Sequence, residues 1–226
     1  MDSGQQGITS KQVGGNISIS LGEFGDLLVS ELQARYYESN YRGQVFSIGC
    51  PLTALTSATA TAAQLSASSQ LIVGVWNPST SGKNAVILQA ALMDQLNNVT
   101  SVALSDFVWV GSVGNSANLT AGLAPFNRNT LASSGSSMKA FTLSTASLCT
   151  GLTNTLVIIE PVDAGVASAL LTTTVAAATP TPSPVYVQNV DGSLIVPPGG
   201  ILGIMNQVSV TTHSVAARLM WMEVSV

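Results

Sequence analysis

The stretch that most limits the fold is the last one, residues 190–226, VDGSLIVPPGGILGIMNQVSVTTHSVAARLMWMEVSV. Asp191-Gly192 is a turn signal, and Ser193 to Val196 is a short apolar run. Pro removes a backbone donor and Gly tolerates positive φ, so Pro197-Pro198-Gly199-Gly200 reads as a corner between strands. Ile201 to Met205 resumes as a strand, Thr211-Thr212-His213 turns, and Val215 to Val226 runs extended. In that last run Ala216, Arg218, Met220, Met222 and Val224 share one face, and Val215, Ala217, Leu219, Trp221, Glu223 and Ser225 the other. Both faces are mostly apolar, the pattern of a strand covered on both sides, by a core and by a neighbour. A chain that ends this way is expected to form a β-sandwich closed by its last strand.

The rest of the chain supplies the other strands. Leu71–Asn77 reads as a strand that stops at Asn77-Pro78-Ser79-Thr80-Ser81-Gly82, and Asn84 to Met93 then completes a hairpin-like pair. Val102–Val110, Met138–Leu143, Thr155–Glu160 and Ala167–Val175 also read as strands. Residues 53–69 are either a loop or a weak strand. Residues 112–137 read as a long surface loop with Pro125-Phe126 as an anchor. Residues 176–184, with Pro180, Pro182 and Pro184, read as an extended connector without pairing. About eight to ten strands, no long helix and no internal repeat predict an all-β, jelly-roll-like antiparallel β-sandwich. Its edges are expected to be covered by a neighbouring subunit or by an arm.

The N-terminal part differs. Residues 1–22 are Gly- and Gln-rich and read as an extended arm on a sandwich domain spanning 23–226. Residues 23–46, EFGDLLVSELQARYYESNYRGQVF, concentrate charge, and Tyr36, Tyr37 and Tyr41 are three of the chain's four tyrosines. Leu28, Ser30, Leu32, Ala34 and Tyr36 alternate as a strand face, while Leu28, Leu32 and Arg35 suit a helix equally. The run into Val45-Phe46-Ser47-Ile48 favours a strand. Such a strand is either the first of the subunit's own sandwich or a contact segment. Tyr and Arg anchor interfaces, which makes Arg35, Tyr36, Tyr37, Tyr41 and Arg42 the candidate interface residues.

Composition bears on what such a sandwich is for. Only 8% of the residues are charged, against about 25% in an ordinary globular domain. A surface covered by small polar and apolar side chains suits a protein packed against copies of itself, with a trimer favoured. A secreted, glycan-coated or membrane protein is the competing explanation. No apolar run reaches the length of a membrane helix, and MDSGQQGITSKQVGG has no signal-peptide core. The net charge of −4, with seven scattered Lys and Arg, argues against nucleic-acid binding. Cys50 and Cys149 read as buried small hydrophobes, and whether they pair is a matter of geometry that sequence does not carry. His213 is the only histidine and lies in a strand connector with no nucleophile elbow in the chain. Glu160 with Asp163, and Glu23 with Asp26, sit at turn-like positions and make poor catalytic pairs. No enzyme activity, cofactor or metal is expected.

Three segments, ELQARYYESNYRGQVF, WNPSTSGKNAVIL and the Val196–Gly200 corner before MWMEVSV, together resemble small β-sandwich proteins of tailed bacteriophages. These belong to the class of capsid decoration and head-fibre proteins. The resemblance implies a structural virion protein made in the host cytoplasm and placed on the capsid surface. Its partners would be its own copies and the major capsid protein or another virion protein, with no nucleic acid and no membrane. A single-jelly-roll capsid or tail protein and a lectin-like module are the alternatives.

Overall fold

A computed structural model describes residues 10–12, 15–17, 35–55, 64–65, 71–96, 107–114, 122–133, 135–143, 156–162, 185–206 and 213–226. Contacts divide the chain into Met1–Glu38 and Ser39–Val226. The first unit contains a short antiparallel pair, β1 (Ser10–Gln12) with β2 (Gly15–Ile17). The second unit is a sandwich of two antiparallel sheets. Its strands are β3 (Val45–Ala54), β4 (Gln64–Leu65), β5 (Val73–Trp76), β6 (Lys83–Leu96), β7 (Phe107–Ser112), β8 (Phe126–Asn127) and β9 (Lys139–Thr142). They continue with β10 (Leu156–Pro161), β11 (Val185–Asn189), β12 (Ile195–Val196), β13 (Ile201–Asn206) and β14 (His213–Ser225). The expected strands at 101–106, 167–175 and 28–34, and Cys149, lie outside the described residues. Cys50 is a buried free thiol.

The first sheet runs β11-β6-β14-β3-β8, with β12 also on β6, and the second β4-β10-β7-β13-β5-β9. Without the short additions β4, β8, β9 and β12, the two layers read β11-β6-β14-β3 and β10-β7-β13-β5. The first of these strands pairs with the last, and the eight together trace the two Greek keys of a jelly roll. β14 therefore sits in the middle of its sheet rather than at an edge, paired with β6 over its whole length and with β3. Its alternation holds: Val215, Ala217, Leu219, Trp221 and Glu223 are buried, while Ala216, Arg218, Met220 and Met222 are half-buried.

Between the sheets lies the main core, which includes Phe46, Ile48, Val73, Val75, Ile87, Trp109, Ile204, Leu219 and Trp221. The outer face of the second sheet is apolar as well. Trp76, Val108, Val110, Phe141, Ile201 and Met205 form a second buried cluster there with Leu71 and Leu156. Strands apolar on both faces belong to a sheet covered on both sides.

The expected hairpin between Leu71–Asn77 and Asn84–Met93 does not form. β5 pairs with β9 and β13, whereas β6 pairs with β11, β12 and β14. The turn instead carries the chain from one sheet to the other. The reason is Asn77, which is fully buried. Its side-chain amide donates to Lys83 O at 2.7 Å and to Val196 O at 2.9 Å. Its backbone is held against the Pro-Pro-Gly-Gly corner, with Gly199 N–H on Asn77 O and Asn77 N–H on Gly200 O, both at 2.8 Å. Two inter-sheet crossings, β5 to β6 and β12 to β13, are thus joined side by side through one residue. Gly199 has φ +78°. At Gly200 a Cβ would lie 2.8 Å from Pro197 O.

Further expectations are corrected. Residues Tyr37–Tyr41 form a short helix, α1, rather than a strand. Tyr36 precedes it at φ +64°, and Gly43 at φ +71° follows it before β3 begins, so the two left-handed residues bound one helical turn. The loop 112–137 contains β8; of the expected Pro125-Phe126 anchor Pro125 is buried and Phe126 exposed, and Asn127 is the buried residue of β8. Asn127 Nδ2 donates to Gly43 O at 2.8 Å, and its Oδ1 accepts the Asn129 N–H at 2.9 Å. His213 is also not in a connector: it is the first residue of β14.

Candidate functional site: an open edge of the sandwich

The two layers are offset by about one strand. β3 lies against β9 and β14 against β5. The Trp109 indole N–H donates across the core to Gln188 Oε1 at 2.9 Å, which sets β11 opposite β7. β10, on the far side of β7, has no strand of the first sheet opposite it among the described residues. Its inward side chains show the consequence. Val157 stands opposite Gly111, two residues along β7 from Trp109 and so on the inner face. Ile159 is the extra residue of a bulge between Ile158 and Glu160. It leans over Gly111, where an added Cβ would meet Ile159 Cδ1 at 2.8 Å. Both Val157 and Ile159 remain 48% exposed. With Gly111, Val113, Ile195 and Pro197 they line an open apolar slot of roughly 420 Å³.

Beside this overhang runs β11, one of the four sheet ends. Among the described residues the other three end strands are shorter, and short edge strands are one way a sheet discourages further pairing. β4 and β8 are two residues each. β9 carries Lys139, and Leu123 bridges its Ala140 through two backbone hydrogen bonds. β11 has five residues, Val185-Tyr186-Val187-Gln188-Asn189, without a charge or a proline. Tyr186 packs on the core, while Val185 is 64% and Val187 53% exposed. The Val190 N–H binds Leu88 O at 2.9 Å. By alternation the backbone groups of Gln188 and Tyr186 also face β6, and those of Val187 and Val185 face outward.

Just past β11 the same edge is blunted. Leu88 is an extra residue of β6 relative to β14, and its carbonyl accepts both the Val190 and Asp191 N–H groups. Asp191 at φ +52° and Gly192 at φ +86° turn the chain there, and it returns to the edge as β12.

Of the residues singled out by sequence, Tyr41 and Arg42 belong to the sandwich unit and occupy another place. Arg35 lies over the Tyr36 ring at 5.4 Å from its centroid. Tyr37 and Tyr41 are the first and last residues of α1, which buries none of its side chains. Tyr41 is 70% exposed, and its carbonyl accepts from Asn129 Nδ2 at 2.9 Å. Arg42 is exposed in the following turn. Tyr41 and Arg42 therefore stand near β8, at the end of the first sheet away from β11. The sequence reading missed β11 altogether, although the alternating Val-Tyr-Val was the signal available.

The polar groups inside the sandwich tie its parts together. Glu223 is buried and accepts from Lys83 Nζ at 3.0 Å, from Ser136 Oγ at 2.5 Å and from the Ser137 N–H at 3.2 Å. On the outer face of the first sheet Arg218 donates to Gln89, and Gln89 Nε2 donates to Asn189 Oδ1 at 2.8 Å. Among the described residues no three His, Cys, Asp or Glu come together as metal ligands. No helix among them is long and apolar enough to cross a membrane. No family model matches the chain, and neither a curated protein nor a solved structure does.

Proposed function

We propose that this chain is a structural virion protein, of the capsid decoration or head-fibre class that it resembles, and that it acts by packing against its own copies and a shell protein. The observation that carries this reading is the open edge. An uncharged five-residue edge strand with two exposed valines, next to an apolar overhang, is a surface that soluble monomers usually guard. The low overall charge supports the same conclusion. The jelly roll is an architecture that viral capsid and lectin domains share, and by itself a fold does not choose between functions. The complete eight-strand order favours a single-jelly-roll shell or tail subunit as the second reading. The lectin reading lacks support from tryptophan, since Trp76, Trp109 and Trp221 are all buried.

The test is fractionation. Particles are banded on a density gradient from a sample that carries the gene, and the chain is quantified by mass spectrometry. A virion subunit peaks with the particle band in fixed ratio to the major shell protein. A chain found only at the top of the gradient contradicts the reading.

A further inference from the structure

We infer that β11 is a two-fold contact, at which a second copy of this chain adds its own β11 antiparallel to the first. This rests on the reading of the chain as a self-assembling subunit and says which strand makes the contact. Three features of the edge select a second copy as its occupant. First, a two-fold axis sets residue i of one copy against residue j of the other and j against i, so the strand has only to be complementary to itself. β11 is centred on Val187, with one residue between it and each exposed neighbour, Val185 and Asn189. The axis sets Val187 of one copy beside Val187 of the other, and Val185 beside Asn189. Second, the strand is uncharged, so two copies meet there without like-charge repulsion although the chain as a whole carries −4. Third, an apolar floor is already built. The added strand continues the first sheet over β10, where Val157 and Ile159 lie uncovered. It turns Tyr186 and Gln188 toward them.

The blunted segment beyond β11 limits the pairing at one end. The Asp191-Gly192 turn interrupts the edge, so pairing by a longer strand is stopped at Val190. The contact is isologous, and it calls for an even number of copies, whereas sequence alone favours a trimer.

The experiment uses the full chain and two variants, Val187→Lys and Val187→Glu. Val187 is exposed in the single subunit, so neither variant disturbs the core. Light scattering is expected to show that each variant alone has half the parent's mass, since like charges meet at the axis. An equimolar mixture of the two is expected to regain the parent's mass, since Lys then meets Glu. That rescue separates a lost contact from a lost fold. A Val187→Lys chain that keeps the parent's mass, or a mixture that fails to recover it, overturns the two-fold contact. Deleting residues 1–22 is the control for another occupant: a halved mass on deletion, with Val187→Lys unaffected, assigns the contact to the arm instead. A parent that is itself a monomer overturns the self-assembly reading together with this inference.

Discussion

At the scale of single residues, Asn77 decides how the two sheets are joined. One buried amide ties the start of β6 and the end of β12 together, and its backbone pairs with the glycine corner. Asn77→Ala takes its donor from Val196 O and leaves Lys83 O with the Ser81 hydroxyl alone, and an unsatisfied buried polar group costs about 1–3 kcal/mol. Urea unfolding is expected to show a loss of at least that size, and Asn77→Asp a larger one, because a carboxylate there faces two carbonyl oxygens. The neighbouring glycines fail for different reasons. Gly199→Val forces a β-branched residue to positive φ, and Gly200→Val drives a side chain into Pro197. Each is expected to lower stability by about 1–3 kcal/mol, read as a lower melting temperature. Unchanged melting in both would remove the corner from the account. Glu223 is a charge inside the sandwich, satisfied from three directions. Glu223→Ala is expected to cost about 2–3 kcal/mol, and Lys83→Ala, which leaves the buried carboxylate without its counter-charge, about as much.

At the scale of elements, legibility followed locality. The closing strand was readable because its alternation is carried by its own residues, and burial of Val215, Ala217, Leu219 and Trp221 matches that alternation. The Pro-Pro-Gly-Gly corner was readable for the same reason. What was not readable was pairing. Asn77 to Gly82 marks a turn whichever sheet the next strand joins, so a hairpin was expected where a crossing occurs. α1 was read as strand because five polar and aromatic residues carry no helical period and the following Val45 run is β-rich. β11 was legible as a strand from Val185-Tyr186-Val187 but lay next to the proline-rich run; its edge position depends on which strands surround it, and no local residue encodes that. The aromatic-charged segment remains testable on its own terms. Replacing Arg35, Tyr37 and Arg42 together with Ala is expected to leave the β-sheet circular dichroism unchanged, since Tyr37 and Arg42 are exposed. A reduced assembly mass in that variant would add this segment to the contact, and an unchanged mass would leave β11 to carry it.

At the scale of the whole molecule, a jelly roll closed between its first and last long strands leaves β11, among the described residues, as the longest of its sheet-end strands. Polar groups inside the sandwich hold layers and crossings together, and β10 and β11 carry exposed apolar side chains, Val157, Ile159, Val185 and Val187. Self-assembly is tested most directly by the light-scattering mass of the purified 226-residue chain at micromolar concentration. A single species at an even multiple of 23.1 kDa is expected. A monodisperse species at 23.1 kDa would contradict it.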